Sequence, residues 1–214
     1  MTTTFSFKQR TRIGTWNIRT LFDAPTKVED LLREFTRFKL QILGVCEHRW
    51  AGSGEVNIPT NDGRVSFIYS GKSLDDKRES GVELFIAPVS RKALRSWYPV
   101  SDRILVARFR TRARNVSIVQ VYAPTNVADD ITKDCFYEQL SATLDSLPRG
   151  DISFLMGDLN AKVGSDNTGR EHIMGKHGLG TLNDNGDRFA ELCAKYDLVI
   201  GGTVFPHKPC HKIT

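Results

Sequence analysis

Hydrophobic positions along the chain alternate between strand-like and helix-like spacing. Residues 12–18 (RIGTWNI) read as a strand, and residues 40–47 (LQILGVCE) as a buried strand of near-continuous apolar character. Between them, residues 25–38 place Val28, Leu31, Leu32, Phe35 and Phe38 at helical spacing behind Pro25, which suits a first turn. The chain therefore opens as β-α-β. Consecutive strands are then predicted over residues 65–70, 81–88, 103–110 and 115–122, separated by Gly, Pro, Ser and charged clusters. Ile131, Cys135, Phe136, Leu140 and Leu144 mark a second helix over 131–147. A strand over 152–156 and a glycine-rich polar loop over 157–180 follow. A third helix over 187–196 carries Phe189, Leu192, Cys193 and Tyr196 on one face, before a last strand over 198–204.

Strands reached both by helical crossovers and by hairpins imply mixed sheets. Three helices cannot cover both faces of one sheet with so many strands. The predicted fold class is therefore α/β: two mixed β-sheets packed face to face with helices outside, a four-layer αββα sandwich. Without internal repeats or low-complexity linkers, residues 12–214 read as one domain behind a flexible stretch, 1–11.

Composition narrows the class of protein. Forty per cent hydrophobic and 26% charged residues in a chain of 214 exclude wholesale disorder. No apolar run approaches the roughly 20 residues of a membrane-spanning helix, and the first residues lack the apolar core of a secretion signal. The expectation is a monomer without membrane contact, nuclear or cytoplasmic rather than secreted. Cys46, Cys135, Cys193 and Cys210 are scattered and read as reduced thiols. His207, Cys210 and His211 are too few and too terminal for a closed zinc site.

The net charge of +5 is unevenly placed. Residues 88–114 hold Arg91, Lys92, Arg95, Arg103, Arg108, Arg110, Arg112 and Arg114 against the single acid Asp102, so this stretch carries +7 and the remainder −2. Such a segment suits a polyanionic partner, although a solvated hairpin face would read the same way. Arg108, Arg110, Arg112 and Arg114 alternate with other residues, so on a strand they would share one face.

Polar side chains at the ends of buried strands are the candidates for chemistry, because strand ends rim the clefts of α/β proteins. Asn17, Glu47, Tyr122, Asp158 and Asn160 all stand at such ends. Each alone has an ordinary explanation, since Asp and Asn favour turns and Tyr favours strands.

In order and spacing, Thr15-Trp16-Asn17, the strand ending in Glu47, Tyr122-Ala123-Pro124 and Gly157-Asp158-Leu159-Asn160-Ala161 resemble the endonuclease/exonuclease/phosphatase superfamily, with its DNase I-like fold. Residues 16–21, 178–180, 183–186 and 211–214 are most similar to endonuclease domains of non-LTR retrotransposons and to craniofacial development protein 2-like host proteins. The resemblance runs from about residue 12 to the end of the chain. It implies a Mg²⁺-dependent phosphodiesterase of DNA-endonuclease type, with Mn²⁺ as the alternative cation. Glu47 would ligate the cation, and Asn17 and Asp158 would complete or hold its network. Asp158 would align or deprotonate the attacking water, Asn160 would bind the phosphate, and Tyr122 would donate to a non-bridging oxygen. Arg108, Arg110, Arg112, Lys208 and Lys212 would contact DNA phosphates. The resemblance also admits a reverse-transcriptase domain in the parent element.

Two departures from that pattern matter. Arg19 occupies a position that often holds an acid. The Ile-Asp strand and final Ser-Asp-His motif have no counterpart before Thr214, so the domain is expected to lack its last strands and to be weakly active or inactive. The rival readings are a non-catalytic remnant that binds nucleic acid or protein, and a phosphatase of the same superfamily. Residues 164–180, with His172 and His177, are expected to form a mobile surface loop.

Overall fold

The computed structural model describes residues 10–21, 25–60, 63–76 and 79–208. They gather into two compact units, one running to Tyr122 and resuming at Leu147–Asp158, the other formed by Ala123–Ser146 and the chain from Leu159 onward.

The first unit contains two sheets. The first has the order β1-β2-β5-β4-β3, built from β1 (Ile13–Asn17), β2 (Ile42–Cys46), β3 (Ser53–Thr60), β4 (Gly63–Ser70) and β5 (Val82–Ile86). The second has the order β6-β7-β8-β9, from β6 (Leu94–Ser101), β7 (Ile104–Phe109), β8 (Val116–Tyr122) and β9 (Ile152–Asp158). Both are mixed: β1 pairs parallel with β2 and β8 parallel with β9, while the other pairs are antiparallel. Alternating side chains from both sheets form one core, in which Ile42, Ile68, Leu84 and Ile86 meet Leu105, Phe109, Val116 and Ile118. On the other face of the first sheet, helix α1 (Pro25–Arg37) lays Leu31 and Phe35 against Leu43, Val45, Phe67 and Phe85. Burial on both faces explains why β2 reads as a near-continuous apolar run. At Gly44 the sheets approach closely, since any Cβ there would collide with Gln120 and Met156.

A short helix α2 (Pro88–Arg91) links β5 to β6. The second unit holds α3 (Asp130–Ser146) and α4 (Asp184–Lys195). α4 starts earlier than its apolar face suggests, because Asn183 caps it by accepting the Gly186 N–H at 2.8 Å.

The two-sheet sandwich agrees with the sequence reading; three local expectations do not. Residues 198–204 form no strand: one bridge joins Ile200 to Met174, and Gly201–Thr203 then turns as a 3₁₀ helix. The middle of the 164–180 segment is not a surface loop, for Ile173 and Met174 are buried against Ala190 and Cys193. β7 stops at Phe109, so Arg110, Arg112 and Arg114 lie in a turn rather than along a strand face. The stretch 1–11 falls almost wholly outside the described residues. Among the described residues, no helix is long and apolar enough to cross a membrane, and Cys46, Cys135 and Cys193 are free thiols.

Candidate active site

Parallel pairing sets Asn17 beside Cys46, the residue before Glu47, and Tyr122 beside Asp158. Stacking the sheets then brings four candidate residues to one end of the first unit. Asn17 joins them: its Nδ2 donates to Glu47 Oε1 at 2.7 Å and to Asp158 Oδ2 at 2.9 Å. An amide nitrogen has two hydrogens, and each here goes to a different carboxylate. Asn17 Oδ1 accepts the Arg19 N–H at 3.0 Å, which closes an Asx-type turn with Arg19 at φ 60°. Glu47 is likewise left-handed, at φ 64°, and its N–H is fixed to the Gly81 carbonyl at 2.8 Å. The Tyr122 hydroxyl donates to Glu47; burial and that bond raise its pKa and keep the phenol neutral.

Two cations missed by sequence reasoning belong to this cluster. Arg49 places its guanidinium 3.5 Å from Glu47 Oε2, with its Nε buried and lacking a hydrogen-bond partner. Arg103 lies 5.1 Å over the Tyr122 ring and donates to the Tyr122 carbonyl at 3.1 Å. Arg49 is a single basic residue in an irregular segment that periodicity does not mark, and Arg103 was read only as one of the basic residues of 88–114.

Cys46 and His48 flank Glu47 but belong to the core. The Cys46 thiol donates to the Val121 carbonyl at 3.2 Å, and burial pushes its pKa up to about 12. His48 Nδ1 accepts the Trp50 N–H at 2.9 Å, so Nε2 carries the proton and donates to the Ser70 carbonyl at 3.1 Å. Burial lowers the His48 pKa to about 4.

Gly157 makes the turn into Asp158 possible. Its φ is 138°, and a Cβ would run into the Val121 carbonyl. Gly157→Ala is therefore expected to cost about 3 kcal/mol or more, from backbone strain and overpacking together. Urea unfolding measures the loss; wild-type stability in this variant would contradict the geometry.

Asn160 belongs to the second unit. Its Nδ2 donates to the Ala123 carbonyl at 2.9 Å, and its own carbonyl accepts from Asn183 Nδ2 at 3.1 Å. Fully buried Asn185 continues this network, donating to the Pro124 carbonyl at 2.9 Å.

The arginines proposed for DNA contact are not gathered beside this cluster. Arg108 is held by Asp151 through Nε at 2.6 Å and NH2 at 2.9 Å, which raises the arginine and lowers the acid in pKa. Arg110 and Arg112 lie at the opposite end of the second sheet, beyond Phe109, which pairs with Val116. Lys208 is exposed, and Lys212 lies outside the described residues.

The donor atoms suit a small, hard divalent cation. Glu47 and Asp158 offer carboxylate oxygens one amide apart, with the Asn17 amide between them. Among the described residues, no group of three or more His, Cys, Asp or Glu side chains is gathered to hold a metal. Two carboxylates are what Mg²⁺ ordinarily takes from a protein, leaving its remaining positions to water and phosphate.

The same architecture recurs in solved structures. The Xenopus laevis APE2 catalytic domain superposes with a TM-score of 0.58 at 14% identity, over 83% of this chain and 66% of that one. The AP endonuclease LMAP from Leishmania major gives 0.55 at 14% identity, over 85% and 65%. The chain thus shares the two-sheet α/β fold of these endonuclease structures. A third DNase I-like neighbour is the endonuclease domain of TRAS1, a telomere-specific non-LTR retrotransposon, with a TM-score of 0.52 at 17% identity over 87% of this chain and 72% of that one. In sequence, the chain is homologous to craniofacial development protein 2. The Bos taurus protein is 36% identical and the Tragulus javanicus protein 35% identical over 198 residues, 92% of this chain. Those residues make up 32% and 33% of the two relatives, so the chain spans about a third of their length. No protein-family profile matches the chain.

Proposed function

We propose that this domain is a divalent-metal-dependent phosphodiesterase of DNA-endonuclease type, derived from a non-LTR retrotransposon. The observation that carries the reading is Asn17, whose single amide ties Glu47 of one sheet to Asp158 of the other. The likeness to the TRAS1 endonuclease domain supports the retrotransposon origin. When bound, Mg²⁺ or Mn²⁺ would supply Lewis-acid stabilisation of charge developing on the phosphate. Glu47 and Asp158 are the residues that would hold it, with Asn17 fixing their spacing.

The remaining roles belong to the chain itself. Tyr122, kept neutral, has a proton to share with a non-bridging phosphate oxygen. Arg49 sits where its guanidinium reaches either Glu47 or an arriving phosphate, and its buried Nε still lacks an acceptor. Asp158 is suited to orient the attacking water. His48 has both ring nitrogens engaged in the core, so it is not a proton donor for the leaving group. For that reason the 214-residue polypeptide is expected to nick DNA weakly.

Supercoiled plasmid incubated with excess protein and Mg²⁺ or Mn²⁺ tests the reading. Slow nicking is expected, and Glu47→Gln or Asp158→Asn should reduce it about 100-fold or more, the scale of losing one group that acts in the transition state. Nicking that survives either substitution would reject the assignment. Turnover of an inositol phosphate in place of DNA would move the domain to the phosphatases.

A further inference from the structure

Six basic side chains that the candidate site does not use collect at the opposite end of the first unit. The strand register fixes that end. Tyr122 and Asp158 pair at the site end of β8 and β9, whereas Val116 and Ile152 pair at the other, with Phe109 of β7 opposite Val116. Six steps along β8 at about 3.3 Å each separate the two ends by roughly 20 Å. There, Lys92, Arg95 and Arg110 line a cleft of about 350 Å³ together with Ala93 and Leu94. Arg112 and Arg114 follow in the turn after β7, and Arg149 lies in the turn before β9; Arg114 Nε donates to the Gly150 carbonyl at 3.0 Å.

Most of the charge of this group is not neutralised within the protein; only Arg95 lies close enough to Asp151 to help lower its pKa. All six side chains are exposed, and among the described residues none forms an ion pair. Their neighbours in sequence differ: Arg91 is paired with Glu55, and Arg108 with Asp151. Asp151, with 3% side-chain exposure, is covered by Arg108 and Ser117 and has little left to offer. No acidic residue lines the cleft. Clustered exposed cations repel one another, and a polyanion relieves that repulsion with release of its counterions.

We propose that this pole is a second, non-catalytic nucleic-acid surface that grips the phosphodiester backbone of duplex DNA. Five of the six cations are arginines, whose planar forks match phosphate oxygens in pairs. Leu94, half-buried, is the largest apolar side chain in the cleft, which offers no aromatic anchor of the kind an acidic peptide would use. A duplex lying across the Glu47–Asp158 end cannot also wrap back some 20 Å to the far pole without sharp bending. The two ends of the unit would therefore hold different stretches of DNA.

The test is independent of the proposed phosphodiesterase activity, because it is run in EDTA. Fluorescence anisotropy with a short duplex compares the wild type with the triple variant Lys92→Glu/Arg95→Glu/Arg110→Glu, with circular dichroism to confirm folding. The triple variant is expected to bind at least ten-fold more weakly. Its log–log salt dependence should be shallower by about three contacts' worth, at roughly 0.9 per phosphate. Undiminished binding by the triple variant would overturn the proposal. So would displacement of the duplex by polyglutamate at equal charge concentration, which would assign the pole to acidic polypeptides instead.

Discussion

Replacing Glu83 by glutamine is expected to stabilise the protein progressively as pH rises above about 4.5. Glu83 stands in the middle of β5, between Val45 of β2 and Tyr69 of β4. It is completely buried, and neither carboxylate oxygen has a hydrogen-bond partner. Burial raises its pKa well above the usual value near 4.5. The unfolded chain releases this proton above pH 4.5 while the folded chain keeps it. The contribution of Glu83 to stability is therefore fully present below pH 4.5 and is lost as pH rises, by about 1.4 kcal/mol per unit. His48 acts in the opposite sense. With its folded pKa lowered from 6.5 to about 4, its contribution is present above pH 6.5 and is lost as pH falls toward 4. Between pH 4.5 and 6.5 the two slopes nearly offset each other, and above 6.5 only that of Glu83 remains. Urea unfolding of wild type and Glu83→Gln from pH 5 to 8.5 should give curves that diverge steadily. Because the glutamine amide is also unpartnered, the divergence with pH is the readout, and parallel curves would show that Glu83 is not held protonated.

The strands legible in the sequence are those whose apolar content exceeds any local alternative. β2, β5 and β8 are buried along their whole length, and their runs of Ile, Leu, Val and Phe leave little ambiguity. β3 and β6 escaped notice because they are edge strands with exposed, polar faces. Pro59 and Pro99 argue against a central strand yet are tolerated at an edge, where an N–H is not needed. Residues 198–204 failed in the reverse direction, since only Leu198 and Ile200 pack on a core, through a bridge and a tight turn, while Val199 and Val204 are exposed. The same distinction holds at the site. A polar residue after a buried strand is a local signal, and Asn17, Glu47, Tyr122 and Asp158 all carried it. The bond from Asn17 to Asp158 spans 141 residues, and no local pattern predicts it. The placing of Arg49 and Arg103 at the site, and of the basic stretch at the opposite end, is likewise a consequence of register, although composition already marked that stretch.

That long-range bond leads to the second large effect. In the absence of metal, Asn17→Asp is expected to be more damaging than Asn17→Ala, and divalent cations should reverse most of the difference. The substitution keeps the shape of the side chain but removes both donors. It sets a third carboxylate where Nδ2 now lies 2.7 Å from Glu47 and 2.9 Å from Asp158. Two charge-assisted hydrogen bonds, each worth roughly 1.5–3 kcal/mol, are lost and like-charge repulsion is added. Losing the donors costs about 3–6 kcal/mol in either variant, and at pH 7.5 in EDTA Asn17→Asp adds the repulsion to that loss. Repulsion raises the pKa of the introduced carboxyl in the folded state, so the excess loss appears as pH rises through the carboxylate range and fades below about pH 4. Asn17→Ala loses the same donors without adding charge, so its deficit should be smaller and nearly constant above the carboxylate range. Millimolar Mn²⁺ binds the folded state preferentially where carboxylates converge, and should raise the melting temperature of Asn17→Asp more than that of the wild type or Asn17→Ala. Equal stability of the two variants in EDTA, with equal gains from Mn²⁺, would mean that Asn17 does not bridge Glu47 and Asp158, and would remove the observation on which the proposed activity rests.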